Sequence, residues 1–377
     1  MCIVVCYFSI EIFRKDVALG EGRDEVETKV LGIAVAFLTT LIMTPLVRRL
    51  AFKIGAVDCP NDRKVHCKPM PRLGGVAIFL GFVIAMLVTQ EISKITLGLV
   101  IGSALIVALG IMDDIFDISP RLKLLGQIVA ALVLVLFGIE VTFVTNPFGG
   151  VVNLGILSIP ITLFWIVGVT NAVNLVDGLD GLAGGVATIA AFCLAVIGWL
   201  EGQYMVVLPA IILGASTIGF LKYNFHPAKI FMGDSGSMFL GYILAAFSII
   251  GLTKGFAVMS VFVPIFIIGI PIFDTAFAIV RRFMNHQPIF KADKEHLHHC
   301  LLEKGLSHRQ TVLAIYLFDI LLGVSGIVLT QLTTAQSFLV FIGVTLAAFV
   351  GADKLGVLGS RAVQTLEMPQ QERKYSA

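Results

Sequence analysis

The chain has 377 residues, of which 57% are hydrophobic and only 14% are charged, and its mean hydropathy is +0.95. Soluble domains carry about 25% charged residues, so this composition excludes a water-soluble globular protein and predicts an integral membrane protein. The formal net charge of +2 gives no basis for a nucleic-acid partner.

Apolar segments long enough to cross a bilayer recur along almost the whole chain. A membrane-spanning helix needs about 20 apolar residues, and this criterion predicts an all-α polytopic membrane protein with about eleven transmembrane helices. The predicted spans are Val30–Leu50, Gly74–Thr89, Ile95–Met112, Leu122–Ile139, Leu157–Thr170, Leu182–Trp199, Tyr204–Leu221, Ser237–Leu252, Val258–Val280, Thr311–Thr330 and Ala335–Val350. They define a membrane domain at residues 30–350, with an unassigned extension at residues 1–29 and a tail at residues 351–377.

The distribution of lysine and arginine predicts on which side of the membrane each loop lies. With eleven spans, the loops on one side carry 21 of the 27 basic residues, and those on the other side carry six. Basic loops favour the cytoplasm. The N-terminus is therefore expected outside, and the long loop Arg281–Gln310 and the C-terminus are expected inside.

Two local patterns predict departures from straight helices. The segment Glu140–Ser158 alternates in polarity and turns at Asn146–Gly150, which predicts a small β-hairpin on the outer side. The ninth span, at residues 258–280, contains Pro264 and Pro271. Because proline interrupts helical hydrogen bonding, we expect a broken helix there, which would form a groove for a lipid.

Four polar segments interrupt the apolar chain where predicted spans meet cytoplasmic loops: Met112–Asp117, Asn171–Gly181, Phe231–Gly236 and Lys291–His299. Ionisable residues at the edge of a bilayer are costly and are usually functional. Carboxylates hold hard cations such as magnesium, and glycines let the backbone approach phosphate closely. The pattern therefore predicts one cytoplasmic site for a magnesium-bound diphosphate.

The first polar segment contains Asp113, Asp114 and Asp117, which follow the third span. We expect Asp113 and Asp114 to serve as a base, as metal ligands or as groups that orient a cation. Asp117 is explained equally well as a cap of the next helix, together with Ser119 and Pro120.

The second polar segment spaces Asn174, Asp177 and Asp180 three residues apart, so a helix would align them in one stripe with Asn171. The twelve-residue ligand pattern of a calcium loop is missing.

The third polar segment opens the eighth span with Gly233–Ser237. A helix N-terminus offers free N–H groups and the positive end of its dipole to phosphate. Asp234 is expected as a magnesium ligand or as the helix N-cap. Lys123 lies at the same predicted face, where it would contact phosphate or anchor the helix.

The fourth polar segment supplies His296, His298 and His299. Binding of a sugar diphosphate explains these imidazoles better than a zinc site, which needs a further ligand. Within the ninth span, Asp274 is expected to form an ion pair with Arg281. The histidines outside the cluster, His226 and His308 among them, are expected at the surface or the membrane interface.

Six stretches of the chain resemble the polyprenyl-phosphate N-acetylhexosamine-1-phosphate transferases of glycosyltransferase family 4, and the WecA/TagO branch in particular. They are Pro71–Phe79, Asp113–Gln127, Asn171–Gly185, Phe225–Tyr242, Pro271–Asp274 and His296–His299. The likeness runs in order from about Val30 to Val350.

The resemblance implies a reaction in a bacterial plasma membrane. Undecaprenyl phosphate would attack the β-phosphate of a UDP-sugar and release UMP, with magnesium, or alternatively manganese, as cofactor. The implied catalytic residues are Asp113 (the suggested base), Asp114, Asp177 and Asp234. The implied metal ligands are Asn174, Asp177 and Asp234. The implied substrate-binding residues are Lys123, Asn171, Asp180 (at the uracil), His296, His298 and His299.

The same resemblance favours UDP-N-acetylglucosamine as donor. Transferases of UDP-N-acetylmuramoyl-pentapeptide typically carry a triple histidine and PTMGG, whereas this chain has Leu297 within its histidine cluster and PRLGG at Pro71–Gly75. That muramoyl donor and other N-acetylhexosamines stay open as alternatives, as do a membrane transporter and a non-catalytic lipid-binding scaffold. Contacts with membrane lipids are expected, and a homodimer stays open.

Overall fold

The computed structural model describes residues 23–58, 69–145, 150–252, 262–287 and 296–357. Its helices are α1 (Arg23–Ile54), α2 (Gly74–Thr89), α3 (Lys94–Phe116), α4 (Pro120–Leu136), α5 (Ser158–Val176), α6 (Leu182–Leu200), α7 (Tyr204–Asn224), α8 (Asp234–Leu252), α9 (Phe262–Ile267), α10 (Gly269–Met284), α11 (Leu297–Glu303), α12 (His308–Thr330) and α13 (Thr334–Leu355). Two antiparallel strand pairs accompany them: β1 (Val57–Asp58) with β2 (Met70–Pro71), and β3 (Phe143–Thr145) with β4 (Val151–Asn153).

Several predicted features fall wholly or partly outside the described residues. They are most of the N-terminal extension (residues 1–22), the turn of the outer hairpin (146–149), the start of the ninth span (258–261), the start of the fourth polar segment (291–295) and the end of the tail (358–377). Where the boundaries of the membrane domain are described, helix α1 begins before residue 30 and helix α13 ends after residue 350.

Length and composition confirm an all-α polytopic membrane protein. Within the described residues, eight helices are long and apolar enough to cross a bilayer, namely α1, α3, α5, α6, α7, α8, α12 and α13, while α2 is a shorter apolar helix. Every predicted span contains a helix. The total of eleven crossings and their orientation stay predictions.

Helix α8 lies at the centre of the bundle, and its N-terminus packs closely against helices α2 and α3. In its apolar 18-residue window 89% of the residues are buried, compared with 11% in α13. A Cβ atom on Gly75 of α2 would lie 2.0 Å from the backbone nitrogen of Gly236, and one on Gly110 of α3 would lie 2.4 Å from the Cα atom of Ser235. Both glycines are therefore needed for the close approach that brings the start of α8 against α2 and α3.

The two predicted departures from regular helix are confirmed. Helices α9 and α10 are separated at Ile268, between Pro264 and Pro271. Strands β3 and β4 pair from Phe143 opposite Asn153 to Thr145 opposite Val151, which is the expected small hairpin.

Candidate active site

The C-terminal end of α3 meets the N-terminal end of α8 through one carboxylate. Asp114 accepts hydrogen bonds from the backbone N–H groups of Asp234, at 2.8 Å, and Ser235, at 3.1 Å. Asp114 therefore caps α8 from a neighbouring helix. The expectation that the N–H groups at this terminus are free for phosphate is wrong for these two, because Asp114 already occupies them.

Lys123 of α4 joins the acids at the centre of the site. Its Nζ atom lies 2.8 Å from Asp113 Oδ2 and 3.1 Å from Asp234 Oδ1. Asn174 of α5 donates from its amide to Asp234 and, at 2.8 Å, to the hydroxyl of Ser237. Lys123 is therefore a counter-ion for two carboxylates. If Lys123 also binds a diphosphate, as predicted, its ammonium group must interact with the phosphate and with both carboxylates at once.

The predicted helical stripe of the second polar segment breaks after its first two members. Asn171 and Asn174 lie in α5, but α5 ends at Val176, with Asp177 as its C-cap and Asp180 in the following turn. Asn171 is held by a reciprocal amide pair with Gln127, at 2.8 and 3.3 Å. The interpretation of a stripe is therefore wrong beyond Val176, because the glycine-rich turn ends the helix.

Asp177 lies in the most acidic environment of the site. Burial, and after it the neighbouring carboxylates of Asp234, Asp114 and Asp180, together raise the pKa of its carboxyl to about 8. A bound cation would remove this penalty, since it favours the ionised carboxylate.

A cleft of about 470 Å³ lies at this site, and all four polar segments border it. Its lining includes Asp114, Asn174, Asp177, Asp180, Asp234, His299 and His308. Asp113, Lys123 and Asn171 lie behind the residues that line the cleft and are not part of the lining. Carboxylate and amide oxygens are the ligands that magnesium and manganese prefer. The donor set of Asn174, Asp177 and Asp234 therefore fits a hard divalent cation.

Asp117 stands apart from this acidic centre. It ends α3 in the left-handed conformation, with φ of 47°, and its side chain is 87% exposed. The cap of α4 is Ser119, whose hydroxyl accepts the N–H of Leu122. The interpretation of Asp117 as the cap of the next helix is therefore wrong, because Ser119 already fills that position.

The histidine cluster is anchored to the broken helix. His296 is the N-cap of α11, and its Nδ1 atom lies 2.8 Å from Asp274 Oδ2. The backbone N–H of Leu297 donates to the other oxygen of Asp274 at 2.9 Å. The expected ion pair between Asp274 and Arg281 is therefore wrong, since Asp274 bonds to the next element of the chain. Arg281 donates instead to the carbonyl of Val357.

His298 and His299 approach the cleft from this anchor. His298 is buried against Gly178, where an added Cβ would lie 2.5 Å from its Nε2 atom. Burial lowers the pKa of His298 to about 3, so this imidazole is neutral near pH 7. Among the described residues, the potential metal ligands that lie close together are Asp180, His226 and His308. Within this part of the chain, the three clustered histidines do not form such a group, so the zinc alternative has no support.

Sequence reasoning missed four residues near the cleft. Arg72 forms an ion pair with Asp58 and lies 3.8 Å from Asp117. His226 and His308, expected at the surface or the membrane interface, converge with Asp180. Arg72 and His226 lie inside resembling stretches, which is the signal that could have found them. Asp58 and His308 lie outside those stretches, and no sequence signal pointed to them.

A cleft lined by carboxylates, an amide and histidines at the ends of membrane helices fits a membrane enzyme that binds a cation with a phosphorylated substrate. Comparison with known proteins shows the class and the family. The family described as glycosyl transferase family 4 matches residues 96–252. The chain is 47% identical to the "Probable undecaprenyl-phosphate N-acetylglucosaminyl 1-phosphate transferase" of Bacillus subtilis over 83% of this chain and 88% of that protein. The chain therefore belongs to this family of phosphosugar transferases.

More distant relatives carry related names. The chain is 39% identical to the "Decaprenyl-phosphate N-acetylglucosaminephosphotransferase" of Mycobacterium tuberculosis, over 79% of this chain and 81% of that protein. It is 31% identical to the "Undecaprenyl-phosphate alpha-N-acetylglucosaminyl 1-phosphate transferase" of Yersinia pestis, over 83% of this chain and 87% of that protein.

Proposed function

We propose that the protein transfers N-acetylglucosamine 1-phosphate from UDP-N-acetylglucosamine to undecaprenyl phosphate. An oxygen of the lipid phosphate attacks the β-phosphorus of the donor, the bond from that phosphorus to the bridging oxygen breaks, and UMP leaves with that oxygen. The product is an undecaprenyl-diphospho-sugar, made in the first membrane step of a cell-surface glycan pathway. The observation that carries the proposal is the oxygen-rich cleft formed by the segments that resemble the family.

We assign the cation to Asn174, Asp177 and Asp234, with magnesium as the expected ion and manganese as the alternative. Bound there, the cation would supply charge compensation for the diphosphate and the departing UMP. Asp114 supports this set by holding the N–H groups of Asp234 and Ser235, which fixes where Asp234 begins its helix.

We assign Asp113 the role of orienting Lys123. Asp113 is buried, it lies 2.8 Å from the Lys123 ammonium, and its other oxygen accepts the N–H of Ile118 at 3.0 Å. The lipid phosphate is largely dianionic near neutral pH, since the second pKa of a phosphate monoester is about 6. A general base is therefore not required to create the nucleophile, and positioning and charge neutralisation account for the role of this residue.

We place the enzyme in the bacterial plasma membrane with the cleft on the cytoplasmic side. The support is the excess of lysine and arginine, 21 to six, on the side of the predicted topology that carries the four polar segments. The donor is a polar nucleotide sugar of the cytoplasm, which agrees with this orientation. The expected contacts with membrane lipids stay a prediction, and a homodimer stays open.

The choice of N-acetylglucosamine over the muramoyl-pentapeptide donor rests on the names of the relatives and on PRLGG at Pro71–Gly75. A transporter would place its ionisable residues near the middle of the bilayer, whereas the acids of this site lie at helix ends.

The test is UMP release by the purified protein with undecaprenyl phosphate, magnesium and each donor at equal concentration. We expect the fastest release with UDP-N-acetylglucosamine. Faster turnover of UDP-N-acetylmuramoyl-pentapeptide would overturn the donor assignment, and no release with any donor would overturn the transferase assignment.

A further inference from the structure

Two histidines outside the proposed chemistry stack beside the cleft. The rings of His226 and His308 have centroids 4.1 Å apart and planes inclined by 21°. His226 precedes the segment that leads into α8, and His308 begins α12. The pair therefore joins two elements that are far apart in the sequence.

One member of the stacked pair, His226, holds one specific carboxylate oxygen. The Nδ1 atom of His226 lies 2.9 Å from Asp180 Oδ2, and the backbone N–H of Ala228 donates to the same oxygen at 3.0 Å. Within the described part of the chain, Asp180 Oδ1 has no hydrogen-bond partner. Asp180 lines the cleft, whereas His226 is not part of the lining. His226 thus holds Asp180 from behind and leaves one oxygen for a ligand.

His226 is itself fixed from the other side. The Nε and Nη2 atoms of Arg309 donate to the backbone carbonyl of His226 at 3.3 and 3.1 Å. Ser307 and Gln310 form a capping box at the start of α12, which sets the position of His308 and Arg309. Loss of the His226 side chain would leave Asp180 Oδ2 with the Ala228 N–H as its remaining described partner, so the carboxylate would be held less firmly while the surrounding backbone contacts remain.

A metal ion shared by Asp180, His226 and His308 explains this arrangement less well. An imidazole binds a metal through a lone pair in the plane of its ring. The rings of His226 and His308 are stacked 4.1 Å apart, and their planes are only 21° from parallel. Their lone pairs therefore lie in two nearly parallel planes and do not point toward one shared metal position. A hydrogen-bonded clamp accounts for the same contacts without moving either ring.

We propose that His226 is a positioning residue for nucleobase recognition. It holds the Asp180 carboxylate in the orientation in which Oδ1 faces the ligand. The inference rests on the proposed function, with a UDP-sugar as donor, and on a contact of Asp180, which lines the cleft, with the uracil of that donor. An ionised carboxylate only accepts hydrogen bonds. The N3–H group of uracil is a donor that matches it, whereas N3 of cytosine is an acceptor and is repelled. A fixed Asp180 therefore discriminates uridine from cytidine nucleotides, and a mobile one does so less well.

The experiment compares His226→Leu with His226→Asn in the full-length enzyme. The amide nitrogen of asparagine occupies nearly the place of Nδ1 and can still donate to Asp180, whereas leucine cannot. Steady-state kinetics with UDP-N-acetylglucosamine give KM and kcat, and competition with UDP and CDP gives the affinity ratio for the two bases. The matched control is His286→Asn, at an exposed histidine outside the cleft lining with φ of 53°, a conformation that asparagine tolerates.

For His226→Leu we expect KM to rise about tenfold, which corresponds to about 1.4 kcal/mol, with kcat within about twofold of wild type. The UDP-to-CDP affinity ratio should fall by a similar factor. His226→Asn should recover most of both losses, and His286→Asn should show neither.

An unchanged KM and affinity ratio in His226→Leu would overturn the inference. A loss of kcat that His226→Asn shares equally would overturn it too, because it would indicate a purely structural role. Wild-type enzyme that releases no UMP would instead contradict the proposed function, so the two failures are distinguishable.

Discussion

With Asp177 as a ligand of the proposed cation, the raised pKa of this residue predicts that cation binding depends on pH. Without a cation, this carboxyl titrates at about 8 rather than at 3.8, chiefly because of burial and then because of the neighbouring carboxylates. A cation binds the ionised form, so binding must displace the proton. At pH 7 about nine in ten molecules carry that proton, and each magnesium ion bound should release about one proton.

The size of the effect follows from the same value. The ionised fraction of Asp177 is about one half at pH 8 and about one hundredth at pH 6, given a pKa of about 8. The apparent affinity for magnesium should therefore fall about 50-fold between pH 8 and pH 6.

The same raised pKa predicts how the stability of the folded protein changes with pH. The folded-state pKa is raised, so the cation-free fold loses stability as pH rises from about 4 to about 8, and saturating magnesium should counter that loss.

Calorimetry in two buffers of different ionisation enthalpy measures the protons released per magnesium ion in the absence of nucleotide. Asp177→Asn should abolish the proton release and weaken binding at every pH. Asp117→Asn, at an exposed side chain, is the matched control and should behave as wild type. Binding that releases no proton at pH 7, with the same affinity at pH 6 and pH 8, would refute the placement of Asp177 at the cation.

Three further predictions concern the site and its orientation. Asp234→Asn should nearly abolish UMP release while the protein still folds, because it removes a carboxylate from the cation; near-normal rates at limiting magnesium would contradict the assignment. Asp117→Asn should keep most of the activity, since the side chain is exposed and asparagine tolerates its positive φ; a loss as large as that of Asp234→Asn would place Asp117 in the site. In a cysteine-free background, an impermeant thiol reagent applied to intact cells should label Val152→Cys in the outer hairpin but not Lys304→Cys in the loop 281–310; the reverse pattern would invert the topology.

The sequence predicted the main architecture of the site because hydropathy and charge carry it directly. Apolar runs place Asp113, Asn174 and Asp234 at helix ends, and the structure brings those three ends together around Lys123. The assignment of that end to the cytoplasm stays a prediction. The break at Ile268 was predictable from Pro264 and Pro271, since the effect of proline on a helix is local.

The partners of these residues were not predictable, because they depend on how distant helices pack. Asp274 has Arg281 nearby in the sequence, yet it bonds to His296 in the next element. Asp114 caps α8, which begins far along the chain, and this contact requires the close approach at Gly110. His226 was undervalued for the same reason, since a single histidine shows its role only when Asp180 and His308 are brought beside it.

The central claim is that the enzyme transfers a phosphosugar rather than a sugar, and the position of the labelled phosphate tests it most directly. Purified enzyme would be incubated with undecaprenyl phosphate, magnesium and UDP-N-acetylglucosamine carrying ³²P at either the α or the β position. We predict that the β label appears in the lipid product and that the α label appears in UMP. Recovery of both labels in UDP, together with a lipid that has gained sugar but no phosphate, would contradict this account.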